Sequence, residues 1–196
     1  MIDDAILGFV YFDTNVVLKH LLPGEEGTDV VEFIINNKGA YNYLVYTSQI
    51  AIYEIDRILK RKVNRLFGHK DYISRELYDQ ALHRLRKTLY QTIKVIDERS
   101  LTRSRTYCYR DLMVKVGWGN NKSWDARHWA VILNFIVDPK NGGGADRSII
   151  INADKPFNTV LRNEGFTIVD PASISIEKLR DILQRDVWLG ADLCCE

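Results

Sequence analysis

Residues 8–15 read Gly-Phe-Val-Tyr-Phe-Asp-Thr-Asn, and the first five form an unbroken apolar run rich in β-forming side chains. A run without alternating polar residues is typical of a strand that is buried on both faces. The run ends at Asp13, just beyond the last apolar residue. The segment therefore predicts a central strand that carries a carboxylate at its carboxyl end.

Three further segments have the same character and predict strands: Tyr43–Thr47, Ser148–Ile151 and Phe166–Val169. Helical spacing and capping residues predict helices over Thr28–Asn37, from Ser48, from near Ser74, over 101–117, over Asp125–Val137, after Pro156 and over Ile176–Gln184. Ile93–Ile96 fits either a strand or the end of the preceding helix. Buried strands separated by helices predict a three-layer α/β/α sandwich around a central, mainly parallel sheet.

The composition is that of a globular protein. The chain has 196 residues, 46% of them hydrophobic and 27% charged, so we expect a single domain over residues 1–196. No apolar run is long enough to span a bilayer, and no basic secretory start precedes the first strand. The three cysteines form no CxxC pair, which favours the reducing cytoplasm.

The net charge of +1 conceals an uneven distribution. Residues 56–110 contain 15 Lys and Arg against 6 Asp and Glu, or +9, which leaves −8 for the rest of the chain. We expect a basic helical elaboration at about 56–117. Such a segment beside an acidic remainder suggests an anionic polymer as substrate, although a solvated helical surface explains the same pattern equally well.

Four acidic residues are predicted to meet at one edge of the sheet. Asp13 and Asp154 follow strands directly, Glu54 lies near the start of the helix after the second strand, and Asp125 begins its own helix. Ligands of parallel sheets bind beyond the carboxyl ends of the strands. Each acid alone could be a helix cap or a surface residue. Together they would repel one another, and bound Mg²⁺ or Mn²⁺ would offset that repulsion.

With these residues in view, the chain resembles the PIN-domain nucleases, and within them the toxin-type (VapC-like) endoribonucleases. The matching segments are Tyr11–Leu18 with Leu22-Pro23 behind it, Thr47–Glu54, Trp124–Ala126 and Ile151–Phe157. In two respects the chain departs from the family pattern. Asn152 stands where family members often have Thr, and the stretch between Glu54 and Asp125 is longer than in the smallest toxins.

The resemblance implies metal-dependent hydrolysis of RNA phosphodiester bonds. Asp13, Asp125 and Asp154 would bind Mg²⁺ or Mn²⁺ directly or through water, and Glu54 would bind the ion or orient the attacking water. Asn15 would fix Asp13 or contact substrate, unless it is only a turn residue, and Asn152 is assigned a similar supporting role. Five basic residues of the Glu54 helix would contact the RNA backbone: Arg57, Lys60, Arg61, Lys62 and Arg65.

Two other functions stay open. One is a catalytically inactive PIN-like protein that binds RNA or scaffolds a complex. The other is a phosphohydrolase with Asp13 as nucleophile, which the absence of an acid at Asn15 disfavours. The resemblance also leaves open an antitoxin partner and a homodimer. His128 lies one turn after Asp125, and we expect it to be structural because a lone histidine more often is.

Overall fold

The computed structural model describes residues 8–22, 24–64, 72–97, 108–136, 144 and 147–184. The elements within these ranges are β1 (Gly8–Phe12), α1 (Thr14–Leu21), α2 (Thr28–Asn37), β2 (Tyr43–Ser48), α3 (Gln49–Val63), α4 (Arg75–Gln91), β3 (Ile93–Ile96), α5 (Tyr109–Lys115), α6 (Ser123–Val131), β4 (Ser148–Ile151), α7 (Lys155–Asn163), β5 (Thr167–Val169) and α8 (Ile176–Gln184). A 3-10 turn, Asn120–Lys122, precedes α6, and a π-helical turn, Ile132–Ile136, follows it.

The five strands form one sheet in the order β3-β2-β1-β4-β5, and every pair is parallel. Val10 of β1 pairs with Val45 on one side and Ile149 on the other. All five residues of β1 are buried, as its unbroken apolar run predicts. The predicted parallel sheet is therefore confirmed, and β1 with its terminal Asp13 lies at its centre.

Side chains of β1 alternate between two separate apolar cores. Val10 and Phe12 belong to the core formed with α1, α2, α3, α4 and α8. Phe9 and Tyr11 belong to the core formed with α5, α6 and α7, where Trp129 is fully buried. Because neighbouring residues of a strand point to opposite faces, one central strand supports both layers. This arrangement is the predicted α/β/α sandwich.

The structure contains two elements that the sequence analysis did not assign. Helix α1 begins directly after Asp13, and its β-branched Val16 and Val17 weaken the helical signal, although both are fully buried. Ile93–Ile96 is a strand, β3, which pairs with β2 at the edge of the sheet. The two middle residues of β3 are exposed, so its apolar pattern is incomplete.

The remaining differences concern helix bounds. Of the helix predicted over 101–117, residues 109–115 are helical, and residues 101–107 lie outside the described ranges. The helix predicted over Asp125–Val137 begins at Ser123 and changes to π-helical geometry at Ile132. Along the described residues, no helix is both long and apolar enough to cross a membrane.

Candidate active site

Asp13 and Asp154 lie at the carboxyl ends of the adjacent strands β1 and β4. Asp13 is buried, and its side chain makes no capping hydrogen bond to α1, so its carboxylate is left for other partners. Asp154 caps α7, because its Oδ1 accepts a hydrogen bond of 3.0 Å from the backbone N–H of Phe157. Its Oδ2 accepts a hydrogen bond of 3.2 Å from the Lys122 ammonium.

Glu54 and Asp125 reach the same edge from helices. Ser48 begins α3 by accepting a hydrogen bond of 3.1 Å from the N–H of Ala51, and Glu54 follows in the second turn. Asp125 lies in the first turn of α6. The charges of Glu54 and Asp125 both act on Asp13, and the charge of Asp154 acts on Asp125. Each of the four predicted acids is thus within electrostatic reach of at least one other, with Asp13 linked to Glu54 and Asp125, and Asp125 linked to Asp154.

His128 is the buried centre of a hydrogen-bond network at this site and is only 1% exposed. Its Nε2 lies 3.0 Å from Glu54 Oε2 and 3.4 Å from Asp13 Oδ1. Its Nδ1 lies 2.6 Å from the Tyr11 hydroxyl. Thr14 joins the network by donating a hydrogen bond to Glu54 Oε2. The imidazole therefore connects two of the four acids and fixes their positions relative to β1.

The pKa values of these three groups follow from burial and charge. Burial raises the pKa of Asp13, and the neighbouring Glu54 carboxylate raises it further, against the opposing charge of His128. Burial also acts to raise the pKa of Glu54, but hydrogen bonding and the charge of His128 lower it overall. Burial acts to lower the pKa of His128, and the carboxylates of Asp13 and Glu54 outweigh it. The net direction for His128 favours its charged form over that of a free imidazole, because two carboxylates lie beside it.

Lys122 is the second cation of the site. Its Nζ lies 2.7 Å from Asp125 Oδ2 and 3.2 Å from Asp154 Oδ2. The hydrogen bond to Asp125 raises the pKa of Lys122, so its ammonium stays charged. Burial raises the pKa of Asp125, while Lys122 acts in the opposite direction. Each pair of acids therefore has one basic side chain beside it, Lys122 for Asp125 and Asp154 and His128 for Asp13 and Glu54.

The fold is similar to that in the crystal structure of VapBC2 from Rickettsia felis bound to a DNA fragment from their promoter. The TM-score is 0.51, 14% of residues are identical, and the similarity covers 82% of this chain and 97% of that chain. The fold is PIN-like. At this identity the similarity shows the fold alone. No family model and no curated protein sequence matches the chain.

The site has the donor chemistry that suits Mg²⁺ or Mn²⁺, since its four acids offer hard carboxylate oxygens. Asp125 and Asp154 already converge on one cation, the Lys122 ammonium. That ammonium fills the position between them, so a divalent ion there would have to displace it. Among the described residues, no three His, Cys, Asp or Glu side chains are arranged to hold a metal ion.

The two predicted supporting asparagines differ in placement. Asn15 is exposed in the first turn of α1. Asn152 is fully buried, and its Oδ1 accepts a hydrogen bond of 3.1 Å from the N–H of Asp154. Asn158 donates to the backbone carbonyl of Asn152 at 3.0 Å, which secures the turn between β4 and α7. Asn152 thus holds the backbone of Asp154, whatever its role toward a ligand.

The five predicted RNA contacts do not form one equivalent group. Arg57 is exposed one turn after Glu54, and its charge contributes to the lowered pKa of that residue. Lys60 pairs with Asp56 at 2.7 Å and points along the surface of α3. Arg61 and Lys62 are half-buried, and Arg65 lies outside the described residues. Arg57 is therefore the member whose position near the acids supports the prediction most directly.

Sequence reasoning did not select Lys122 and expected His128 to be structural, although both share a helical face with Asp125. Residues three apart lie on the same side of a helix, and Lys122, Asp125 and His128 have this spacing. The signal was therefore present in the sequence. The spacing indicates a role at the site only in the folded chain, where Asp13, Glu54 and Asp154 lie against that face of the helix.

Proposed function

We propose that the chain is a metal-dependent endoribonuclease that hydrolyses RNA phosphodiester bonds at the site of Asp13, Glu54, Asp125 and Asp154. The observation that carries the proposal is the convergence of four carboxylates from β1, α3, α6 and the end of β4 at one sheet edge. Grouping one buried and three half-buried acids in this way is costly to stability unless cations compensate them. The PIN-like fold is consistent with nuclease chemistry.

Each acid has a part in the proposed reaction. Asp125, Asp154 and Asp13 would hold Mg²⁺ or Mn²⁺, and Glu54 would bind the ion or orient the attacking water. A bound ion would lower the pKa of a water ligand and stabilise charge on the attacked phosphate. His128 holds the side chains of Asp13 and Glu54 in place, and Thr14 fixes the oxygen of Glu54 that also faces His128. In hydrolysis the water oxygen would bond to phosphorus as the P–O bond to one ribose oxygen breaks, which leaves a phosphate monoester and a ribose hydroxyl.

The test compares cleavage of a labelled single-stranded RNA with Mn²⁺, with Mg²⁺ and with EDTA. We expect cleavage with either metal, none with EDTA, and at least about a hundredfold loss in Asp13→Asn and Glu54→Gln. Asp56→Asn is the matched control, because Asp56 lies two residues after Glu54 on α3 but pairs with Lys60 at the surface. Cleavage that persists in EDTA, or in Asp13→Asn, would contradict the proposal.

The position of Lys122 favours one alternative, a PIN-like protein that binds RNA without cutting it. An ammonium between Asp125 and Asp154 partly compensates the charge of these acids with no metal. The alternative predicts RNA binding that is the same with Mn²⁺ and with EDTA, and no cleavage under either condition. Retention of intact RNA by folded wild-type protein in the presence of Mn²⁺ would favour it over the nuclease.

We also propose a toxin role in the cytoplasm, with an antitoxin protein as partner. Support comes from the structural similarity to a VapBC2 assembly, which was crystallised with promoter DNA. The experiment is purification of the tagged chain from its own cells, followed by mass spectrometry. We expect one small protein in stoichiometric amount, and its absence would favour an RNA-processing role. Light scattering on the purified chain tests the homodimer, which stays a prediction.

A further inference from the structure

A pocket of about 570 Å³ lies between α5 and α6, beside the acidic site. Its lining includes Tyr109, Arg110, Trp118, Asn120, Ser123 and Arg127. Ser123 and Arg127 share one face of α6, whereas Asp125 and His128 lie on another, because their spacings separate them around the helix. The pocket is therefore distinct from the acidic site, and its volume is in the range of small-ligand sites.

The charge of the pocket is positive. It contains the guanidinium groups of Arg110 and Arg127, and no carboxylate belongs to its lining. Among the described residues neither guanidinium has a carboxylate partner, whereas Lys115 at the end of α5 pairs with Glu164. Two arginines left without an acidic partner can bind an anion such as a phosphate through paired N–H groups.

The pocket also has a rigid aromatic wall. The guanidinium carbon of Arg127 lies 4.9 Å from the ring centroid of Tyr109 and 5.4 Å from that of Trp124. Trp118 is held edge-on against Trp129 at 5.9 Å and Phe157 at 6.0 Å between ring centroids. Aromatic rings and stacked guanidinium planes are the surfaces on which unpaired nucleic-acid bases stack. The wall is anchored in the core before any ligand arrives.

The pocket and the acidic site share one short segment. Asn120 and Ser123 line the pocket, and Lys122 between them contacts Asp125 and Asp154. A bound polymer could therefore reach from one to the other across the 3-10 turn, with a phosphate near the acids and an adjacent nucleotide in the pocket.

We propose that this pocket binds one unpaired nucleotide of single-stranded RNA, with its base against Tyr109 and Trp118 and its phosphate on Arg110 and Arg127. The inference rests on RNA being the substrate under the proposed function. Only an unpaired nucleotide fits this arrangement, because a base within a duplex has no exposed face to stack on these rings.

The test measures binding of a short fluorescein-labelled single-stranded RNA by anisotropy in EDTA, so that no cleavage interferes. We expect Arg127→Gln to weaken binding at least about tenfold and Tyr109→Leu at least about fivefold. The matched control is Arg180→Gln, since Arg180 stacks on Phe33 at 5.3 Å in the other helical layer. We expect a change below about twofold for that variant.

Thermal unfolding of each variant separates loss of binding from loss of fold. If Tyr109→Leu is unfolded, Arg127→Lys replaces it, because lysine keeps the charge but loses the planar stacking group. We expect Arg127→Lys to bind single-stranded RNA more weakly than wild type does. We also expect wild type to bind duplex RNA of the same sequence more weakly than the single strand. Equal binding of duplex and single strand, unchanged binding in Arg127→Gln, or tighter binding of an acidic peptide would overturn the inference.

The outcome is independent of whether the protein cuts RNA. If wild type binds single-stranded RNA through Arg127 but never cleaves it with Mn²⁺, the nuclease proposal is contradicted and the nucleotide-binding role of the pocket is supported. If wild type cleaves RNA and Arg127→Gln binds it normally, the nucleotide-binding role of the pocket is contradicted and the nuclease proposal is supported.

Discussion

The ammonium of Lys122 lies 2.7 Å from Asp125 Oδ2, at the position that sequence reasoning gives to a divalent cation. A second contact, 3.2 Å to Asp154, makes Lys122 a bridge between two acids. In this state one ammonium of the protein partly compensates the charge of two carboxylates. Binding of a metal ion by these acids has to break both contacts.

Lys122→Met is therefore expected to bind Mn²⁺ more tightly than wild type. Removing the competing ammonium leaves two acids uncompensated, and an ion pair of about 1 kcal/mol corresponds to roughly a fivefold change in affinity. Electron paramagnetic resonance of free Mn²⁺ measures the dissociation constant without reference to activity. Lys115→Met is the control, because Lys115 pairs with Glu164 instead. Weaker Mn²⁺ binding in Lys122→Met would show that the lysine supports the metal site.

His128→Gln is expected to reduce stability in a pH-dependent manner in metal-free buffer. Burial opposes the protonated form of His128, but Asp13 and Glu54 raise its pKa above 6.5 in the folded state. The stabilisation is therefore fully present below the unfolded pKa and is lost as pH rises through the raised pKa. The measurement is urea unfolding of both proteins across this range. A difference between the two proteins that does not change with pH would contradict the charged interaction.

Tyr11→Phe is expected to lower the free energy of unfolding by about 1–2 kcal/mol. The substitution removes the hydroxyl that lies 2.6 Å from His128 Nδ1 and leaves Ser48 Oγ, at 3.3 Å, beside that nitrogen. Tyr46→Phe is the control, since the Tyr46 hydroxyl makes no hydrogen bond within the described part of the chain. Urea denaturation distinguishes the two, and equal losses would contradict a specific role for Tyr11.

Arg57→Gln is expected to weaken RNA binding and to reduce its dependence on salt. Each phosphate contact adds about 0.7 to the slope of log affinity against log salt for a single strand. Lys60→Gln should change that slope less, because Asp56 already compensates Lys60. The slopes are measured by anisotropy in EDTA over a range of salt concentrations. A larger effect of Lys60→Gln would reverse the assignment of these two residues.

The strands of the sheet and the acids that follow them were predictable, because short segments of the sequence indicate both. Buried apolar runs mark β1 and β4, and Asp13 and Asp154 follow them closely, so parallel topology alone places both at one edge. The edge strand β3 was ambiguous because its middle residues, Lys94 and Val95, are exposed. Periodicity cannot separate such a short segment from a helix end.

Beyond the local Lys122–Asp125 pair, the charge compensation at the site was not predictable, because it depends on the packing of distant segments. Lys122 reaches Asp154 only because the 3-10 turn before α6 approaches the end of β4. Trp118 packs against Trp129 and Phe157 just before that turn. His128 became the centre of a network only when β1 and α3 presented Asp13 and Glu54 to it. Local sequence patterns carry no information on such contacts.

The division of β1 between two cores has a consequence for genetic studies of this protein. Shortening the side chain of Phe9 or Tyr11 loosens one helical layer, and shortening that of Val10 or Phe12 loosens the other. Each change also displaces Asp13, which follows the strand. Random mutagenesis scored by loss of phenotype will therefore recover these apolar positions alongside the acids. Soluble expression level, measured for each isolate, is what will tell a collapsed scaffold from a chemically disabled one.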